Sequence, residues 1–298
     1  MTPDESPPTR APRKTRRLLL WVVLAAIVAV LLAHLFGDMD FSGEDRVALI
    51  RVEGVILDAQ QTVEDLKKFA ETPSVKAIVL RIDSPGGGVV PSQEIHDAVK
   101  RVRNKHNKVV VASMGTVAAS GGFYIAVATD RILANPGTLT GSIGVIMELA
   151  NLEGLLKKIG VESVVVKAGR NKDLGSPFRQ MRDEERKLLQ AVMDDVHDQF
   201  ITAVAEGRAL KPSDVVPFAD GRIFTGRQAK DVKLIDELGD LDDAIRVAAD
   251  LGGIEGEPKV VEPRRRFSIR ELLESQVFGK LPRLDWPSGV TLKYLMAF

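Results

Sequence analysis

Residues 75–95 read VKAIVLRIDSPGGGVVPSQEI, and their reading decides the fold. The first eight form an almost unbroken apolar run of strand length, as in a parallel-sheet strand covered on both faces. The run stops at "DSPGGG", where a proline and three glycines interrupt regular structure. A helix is predicted next, because Ile95, Ala98, Val99 and Val102 recur at i, i+3, i+4 and i+7. Strand, glycine turn and helix make one unit of an α/β sheet, whose ligands gather at the carboxyl ends of the strands. Gly86 and Gly87 would set unblocked N–H groups at a helix N-terminus, where partial positive charge favours an oxyanion.

The alternation continues in both directions. Upstream, "VALIRVEGVI" opens as a strand, and a helix follows with Val63, Leu66, Phe69 and Ala70 on one face. Downstream, "KVVVASM" is a second buried strand and "RILANP" a short one. Leu152, Leu155, Leu156 and Ile159 mark a helix, and "ESVVVKAG" a further strand. A long charged helix runs from about Arg182 to Gly207, with Leu188, Val192 and Val196 predicted to face inward. The pattern predicts a single α/β domain with a largely parallel sheet. No internal repeat stands out.

A second strand end carries "MGTVAASGGFYIA", with Ser120 among small residues and Gly121 and Gly122 directly after it. Small-residue crowding alone would serve close backbone packing. A nucleophilic serine, however, also needs a tight turn that exposes its oxygen and frees nearby N–H groups. Together with "SPGGG" the segment supplies a hydroxyl flanked by two sources of backbone donors, the requirement of acyl transfer.

Such a serine needs a base. The chain has four histidines. His34 lies in an apolar run, and His96, His106 and His197 read as surface residues, so a Ser-His-Asp triad finds little support. Lysine can act as base when burial or a nearby cation lowers its pKa from about 10.4. Lys167 and Lys172 bracket the loop "KAGRNKDLGSP", and spacing alone does not choose between them.

Composition narrows the function classes. Lys plus Arg equals Asp plus Glu at 41 each, and aromatic residues make up only 5%. Neither a global field nor a stacking surface points to nucleic acid. With no cysteine, thiol catalysis, disulfides and Cys-based zinc sites are excluded. Residues 1–17 form a polar tail ending in Arg10, Arg13, Lys14, Arg16 and Arg17. Leu18 to Phe36, "LLLWVVLAAIVAVLLAHLF", is apolar apart from His34. As a helix it would span roughly 28 Å, close to the bilayer hydrocarbon thickness. Without a convincing small-residue cleavage site after it, the run reads as an uncleaved transmembrane signal anchor. The basic flank would stay cytoplasmic and the remainder outside.

Several stretches in this order resemble signal peptide peptidase A, the Ser–Lys membrane protease family of bacteria, in its short, unduplicated form. They are "IRVEGVI", "RIDSPGGGVVPSQEI", "ASGGFYIAVATDRILANPGTLTGSIGV", "AGRNKDLGSPFR" and "DGRIFTGRQAKDVKLIDELGDLDDA". The resemblance implies a Clp-protease/crotonase-like fold, with Ser120 as nucleophile, Lys172 rather than Lys167 as general base, and Ser142 as the residue orienting that lysine. It places the oxyanion hole at the N–H groups of Gly87 and Gly121. It also implies peptide substrates, cleaved signal peptides above all, a ring-shaped homo-oligomer, and no metal or nucleotide cofactor. The expected organisation is a basic tail (1–17), an anchor (18–36), a linker (37–45), a peptidase domain (46–255) and a C-terminal extension (256–298) packing on its own domain or a neighbour. The expected location is the bacterial cell membrane, with the catalytic domain extracytoplasmic. Three rival readings are a Ser–Lys protease trimming intact membrane proteins, a crotonase-type enzyme acting on acyl-CoA, and a non-catalytic membrane scaffold.

Overall fold

In the computed structural model the described residues are 44–263 and 293–296, with positions 21, 22, 24 and 25. The last four are helical, and most of the predicted anchor at 18–36 lies outside the described residues. Among the described residues no helix is long and apolar enough to cross a membrane. Contacts divide the chain into Met1–Glu44 and Asp45–Phe298, and the second unit carries the fold.

Ten strands are described: β1 (Arg46–Glu53), β2 (Val75–Ser84), β3 (Gly86–Gly88), β4 (Val109–Ala119), β5 (Arg131–Ala134), β6 (Leu139–Gly141), β7 (Ile223–Thr225), β8 (Glu237–Leu238), β9 (Lys259–Val261) and β10 (Lys293–Leu295). The main sheet runs β7-β6-β4-β2-β1-β9, with β5 joining β4 to β8. All of its pairings are parallel except β6 with β7. It is therefore a mixed sheet of the predicted, mainly parallel kind.

β2 shows why the apolar run had to be a two-sided strand. Ile78, Leu80 and Ile82 point into one core cluster with Met114, Phe123 and Phe200. Ala77 and Val79 point the other way, into a cluster with Val111, Leu133, Ala244 and Ala248. Helices Gln60–Glu71, Val89–His106, Gly121–Ala126 and Asp183–Arg208 contribute buried residues to the first layer, and Leu241–Leu251 to the second. Each fully buried Val, Leu or Ile is worth about 1.5–3 kcal/mol against exposure, so a shift by one residue would put every side chain of β2 in the wrong layer.

Three expectations need correction. "ESVVVKAG" forms no strand: residues 161–167 run without ladder partners, and Val164 and Val166 are 81% and 96% exposed. Strand propensity is realised only where another strand completes the ladder, and none in this chain lies beside this segment. The helix after Leu152 is a short turn, Glu153–Lys158, with Leu155 and Ile159 exposed. On the long helix Val196 is buried as expected, but Leu188 and Val192 are exposed, because its first half extends past the core.

The C-terminal segment does pack on its own domain, though not as a surface extension at residues 293–296. β10 pairs antiparallel with the glycine strand β3, and Tyr294 is fully buried.

Candidate active site

β4 ends at Ala119, and the chain turns at Ser120 into the helix Gly121–Ala126. At Ser120 φ is 52° and ψ −115°, a conformation that costs a non-glycine residue about 1–3 kcal/mol. Two backbone hydrogen bonds hold the turn. Ser120 N donates to the Gly141 carbonyl at 2.8 Å, and Tyr124 N to the Ser120 carbonyl at 2.8 Å. The side chain gains no such partner: Ser120 Oγ is buried and without a hydrogen bond. A buried hydroxyl left unpaired costs about 1–3 kcal/mol. Strain and an orphaned oxygen at one residue mark a functional position.

The glycines around it are dictated by close approach. A Cβ on Gly121 would stand 2.5 Å from Ser92 Oγ and 3.2 Å from the Gly87 nitrogen. One on Gly87 would meet the Ile56 carbonyl oxygen at 2.1 Å. Gly86 also needs its φ of 102°, which L side chains rarely adopt. The bare backbone of β3 can thus lie directly against the start of the serine helix. Ile56 bonds one edge of β3, through Ile56 N to the Gly86 carbonyl and Gly88 N to the Ile56 carbonyl. Gly87 therefore turns its own N–H and carbonyl to the opposite edge.

Ser142 arrives through the sheet register. β4 and β6 pair in parallel with Ala119 opposite Gly141, so Ser120 and Ser142 are the next residues on neighbouring strands. Ser142 is also buried, has φ of 52°, and donates its N–H to the Arg222 carbonyl at 2.8 Å. Beside it opens a cleft of about 780 Å³ whose walls include Ser142, Ile146, Met193, His197, Leu295 and Met296.

Lys172 is not part of this cluster. It is exposed on a turn closed by Lys172 N to the Gly169 carbonyl at 3.2 Å, and the orphaned Ser120 Oγ has no bond to it. Lys167 is occupied in an ion pair with Asp173. Arg179 clamps the loop. Its Nε donates to Asp173 at 2.8 Å, and its two terminal nitrogens to Glu185 at 2.8 and 2.6 Å. The carboxyl of Asp173 is held well below the usual range by Arg179 and then Lys167, and that of Glu185 by Arg179 and then Arg182. The structure thus brings Ser120, Ser142, Gly87 and Gly121 together and leaves Lys172 apart within one chain.

Two features escaped the sequence reading. His96 is buried, not exposed. Its Nδ1 lies 3.2 Å from Asp97, its ring 4.8 Å from that of Tyr124, and burial pushes its pKa down. The second is an aromatic box. Tyr124 and Tyr294, the only two tyrosines of the chain, stack at 5.2 Å, with Phe200 at 5.1 and 4.7 Å from them. The only sequence hint was the apolar tail "KYLMAF", which gave no sign of where Tyr294 would dock.

Comparison with known proteins agrees with this architecture. The profile described as Peptidase family S49 matches residues 102–255, and that of Clp protease matches 46–137. A candidate protease of Synechocystis sp. is 46% identical over 215 residues, covering 72% of this chain and 77% of the relative. A candidate signal peptide peptidase SppA of Enterococcus faecium is 37% identical over 213 residues, covering 67% and 62%. Protease 4 of Salmonella typhi is 34% identical over 256 residues, 79% of this chain but 41% of that longer protein. A Clp-protease-like sheet and these relatives exclude an acyl-CoA enzyme and a mere scaffold as the better description: the chain belongs to peptidase family S49 and is a signal-peptide-peptidase-like serine protease.

Proposed function

We propose that this protein is a membrane-anchored Ser–Lys endopeptidase that degrades signal peptides after export, working as a ring in which a neighbouring copy supplies the lysine. The observation that carries the reading is the buried, unpaired Ser120 hydroxyl on a strained turn, flanked by Gly87 and Gly121. An orphaned hydroxyl is costly in an isolated chain and reasonable where a base arrives from outside. Lys172 is exposed on its clamped loop, free to reach a neighbour's serine.

The chemistry follows from these parts. Neutral Lys172 of the adjoining copy takes the Ser120 proton as Oγ attacks a peptide carbonyl, and Ser142 holds the amine in line. The oxyanion forms against the N–H groups of Gly87 and Gly121, each worth about 3 kcal/mol of barrier. The leaving amine departs with the proton, and water, activated by the same lysine, hydrolyses the ester. Residues 18–36 would tether the domain outside the cytoplasm, where cleaved signal peptides remain in the bilayer.

The test is to incubate the full-length protein with a panel of signal peptides and map the products by mass spectrometry. Cuts are expected within the apolar segments, absent in Ser120→Ala. Cleavage that persists in a folded Ser120→Ala protein would remove Ser120 from the mechanism.

A further inference from the structure

β10 lies where a peptide would have to lie to be cut. It is the middle strand of a small ladder, with β3 on one side and Ile146 on the other. Ile146 N donates to the Lys293 carbonyl at 3.1 Å, and Lys293 N to the Ile146 carbonyl at 3.3 Å. On the β3 side the register is Lys293 with Gly88, Tyr294 with Gly87 and Leu295 with Gly86. Met296 N donates to the Pro85 carbonyl at 2.9 Å. Antiparallel bonding recurs every second residue, so the next bond along this edge runs from Gly87 N–H to the Tyr294 carbonyl. That donor is one of the two assigned to the oxyanion. The crowding agrees: a Cβ on Gly86 would stand 2.0 Å from the Tyr294 carbonyl oxygen and 2.7 Å from the Gly121 nitrogen.

The side chains fit the same placement. Tyr294 is fully buried against Tyr124 and Phe200, and its hydroxyl donates to the Val196 carbonyl at 3.1 Å. Leu295 and Met296 continue into the cleft beside Ser142. A strand added to an edge, with one side chain in a pocket, is a peptide-recognition mode.

We propose that Lys293–Met296 is a built-in substrate, cut by this protein's own active site between Tyr294 and Leu295. The box of Tyr124 and Phe200 is then the pocket for the residue preceding any scissile bond. It selects large aromatic side chains, with the Val196 carbonyl favouring tyrosine. The inference rests on Ser120 as the nucleophile of the proposed peptidase. In the step, Ser120 Oγ bonds to the Tyr294 carbonyl carbon and the C–N bond to Leu295 breaks. The Leu295 nitrogen leaves as an amine carrying the serine proton. One water then cleaves the ester, freeing the Tyr294 carboxylate and restoring the hydroxyl. Until the cut peptide departs, the chain's own tail blocks external substrate.

The test combines intact-mass measurement of the full-length protein with a free decapeptide of its last ten residues, GVTLKYLMAF. Wild type is expected to lose Leu295–Phe298 on incubation and to cut the decapeptide at the same bond, while Ser120→Ala does neither. Replacing tyrosine by aspartate in the decapeptide should lower kcat/KM about 100-fold, because the pocket offers an anion no partner. Phenylalanine there should cost at most about tenfold. The decapeptide arm does not depend on how a variant folds. Wild type that keeps Phe298 and leaves the decapeptide whole, while cutting unrelated peptides, overturns the built-in substrate and leaves the peptidase standing. Failure to cut any peptide overturns the peptidase reading and this inference together.

Discussion

The serine side and the lysine side of this protein are built by opposite rules. Ser120 sits at the end of a buried strand, wedged among glycines whose Cβ positions are taken by neighbouring backbone. Residues 161–172 have almost no packing, and Val164 and Val166 lie nearly bare to solvent. A single chain therefore finishes the nucleophile and its glycine donors and leaves the region of the base unfinished. Exposed valines with strand character, together with Leu188 and Val192 exposed on the adjoining helix, form a surface that a second copy of the chain can complete.

The largest effect expected is from Ser120→Ala. Peptide hydrolysis should fall by about 10⁴-fold or more, with circular dichroism unchanged, since alanine fills the same space. Activity retained by the folded variant would dissolve the contrast, because the finished region would then not be the catalytic one.

Lys172→Ala should come next, with nearly complete loss, while Lys167→Ala keeps most activity because Lys167 is tied to Asp173. Equal losses in steady-state kcat/KM for the two variants would mean that the loop acts only as a unit.

Val164→Asp with Val166→Asp sharpens the comparison from the assembly side. Both positions are exposed within the chain, so the folded subunit should change by no more than about 0.5 kcal/mol in denaturant unfolding. Light scattering should nonetheless show loss of the oligomer, and activity should fall with it. A fully active oligomer carrying both aspartates would show that this surface is not a contact.

How much of this could be read in advance depended on where the partner of each segment lies. β1, β2 and β4 were legible because burial on both faces writes itself as continuous apolar runs. Ser120 was legible because a strained turn between sheet and helix demands small neighbours. Residues 161–167 carried the same apolar signal without a strand to pair with, so local propensity misled. Leu188 and Val192 fit a helical period that continues beyond the core that would have buried them. Tyr294 was illegible for another reason: its burial depends on a register with Gly87 set by tertiary geometry, across some two hundred residues of sequence. His96 follows a buried isoleucine by one position, and the aromatic ring of Tyr124 covers what the helical period left outside.

The smallest effect concerns the loop clamp. The Asp173 and Glu185 carboxyls are depressed by Arg179, so their stabilisation is present above the unfolded carboxylate value near 4 and fades as pH falls below about 5. Hydrogen exchange at residues 167–185 should rise on acidification before exchange in β2 and β4 does. Simultaneous loss of protection in both regions would remove the difference in how the two are held.

The central claim is that serine and lysine come from different copies, and complementation tests it most directly. Chains carrying Ser120→Ala and chains carrying Lys172→Ala, each inactive alone, are co-expressed with different affinity tags, and doubly tagged assemblies are isolated. With unbiased mixing in a closed ring, about one site in four draws an intact serine from one copy and an intact lysine from the next. Peptide hydrolysis should therefore recover to about a quarter of the wild-type value. Verified mixed assemblies with no activity would contradict the account, because both residues would then have to come from a single chain.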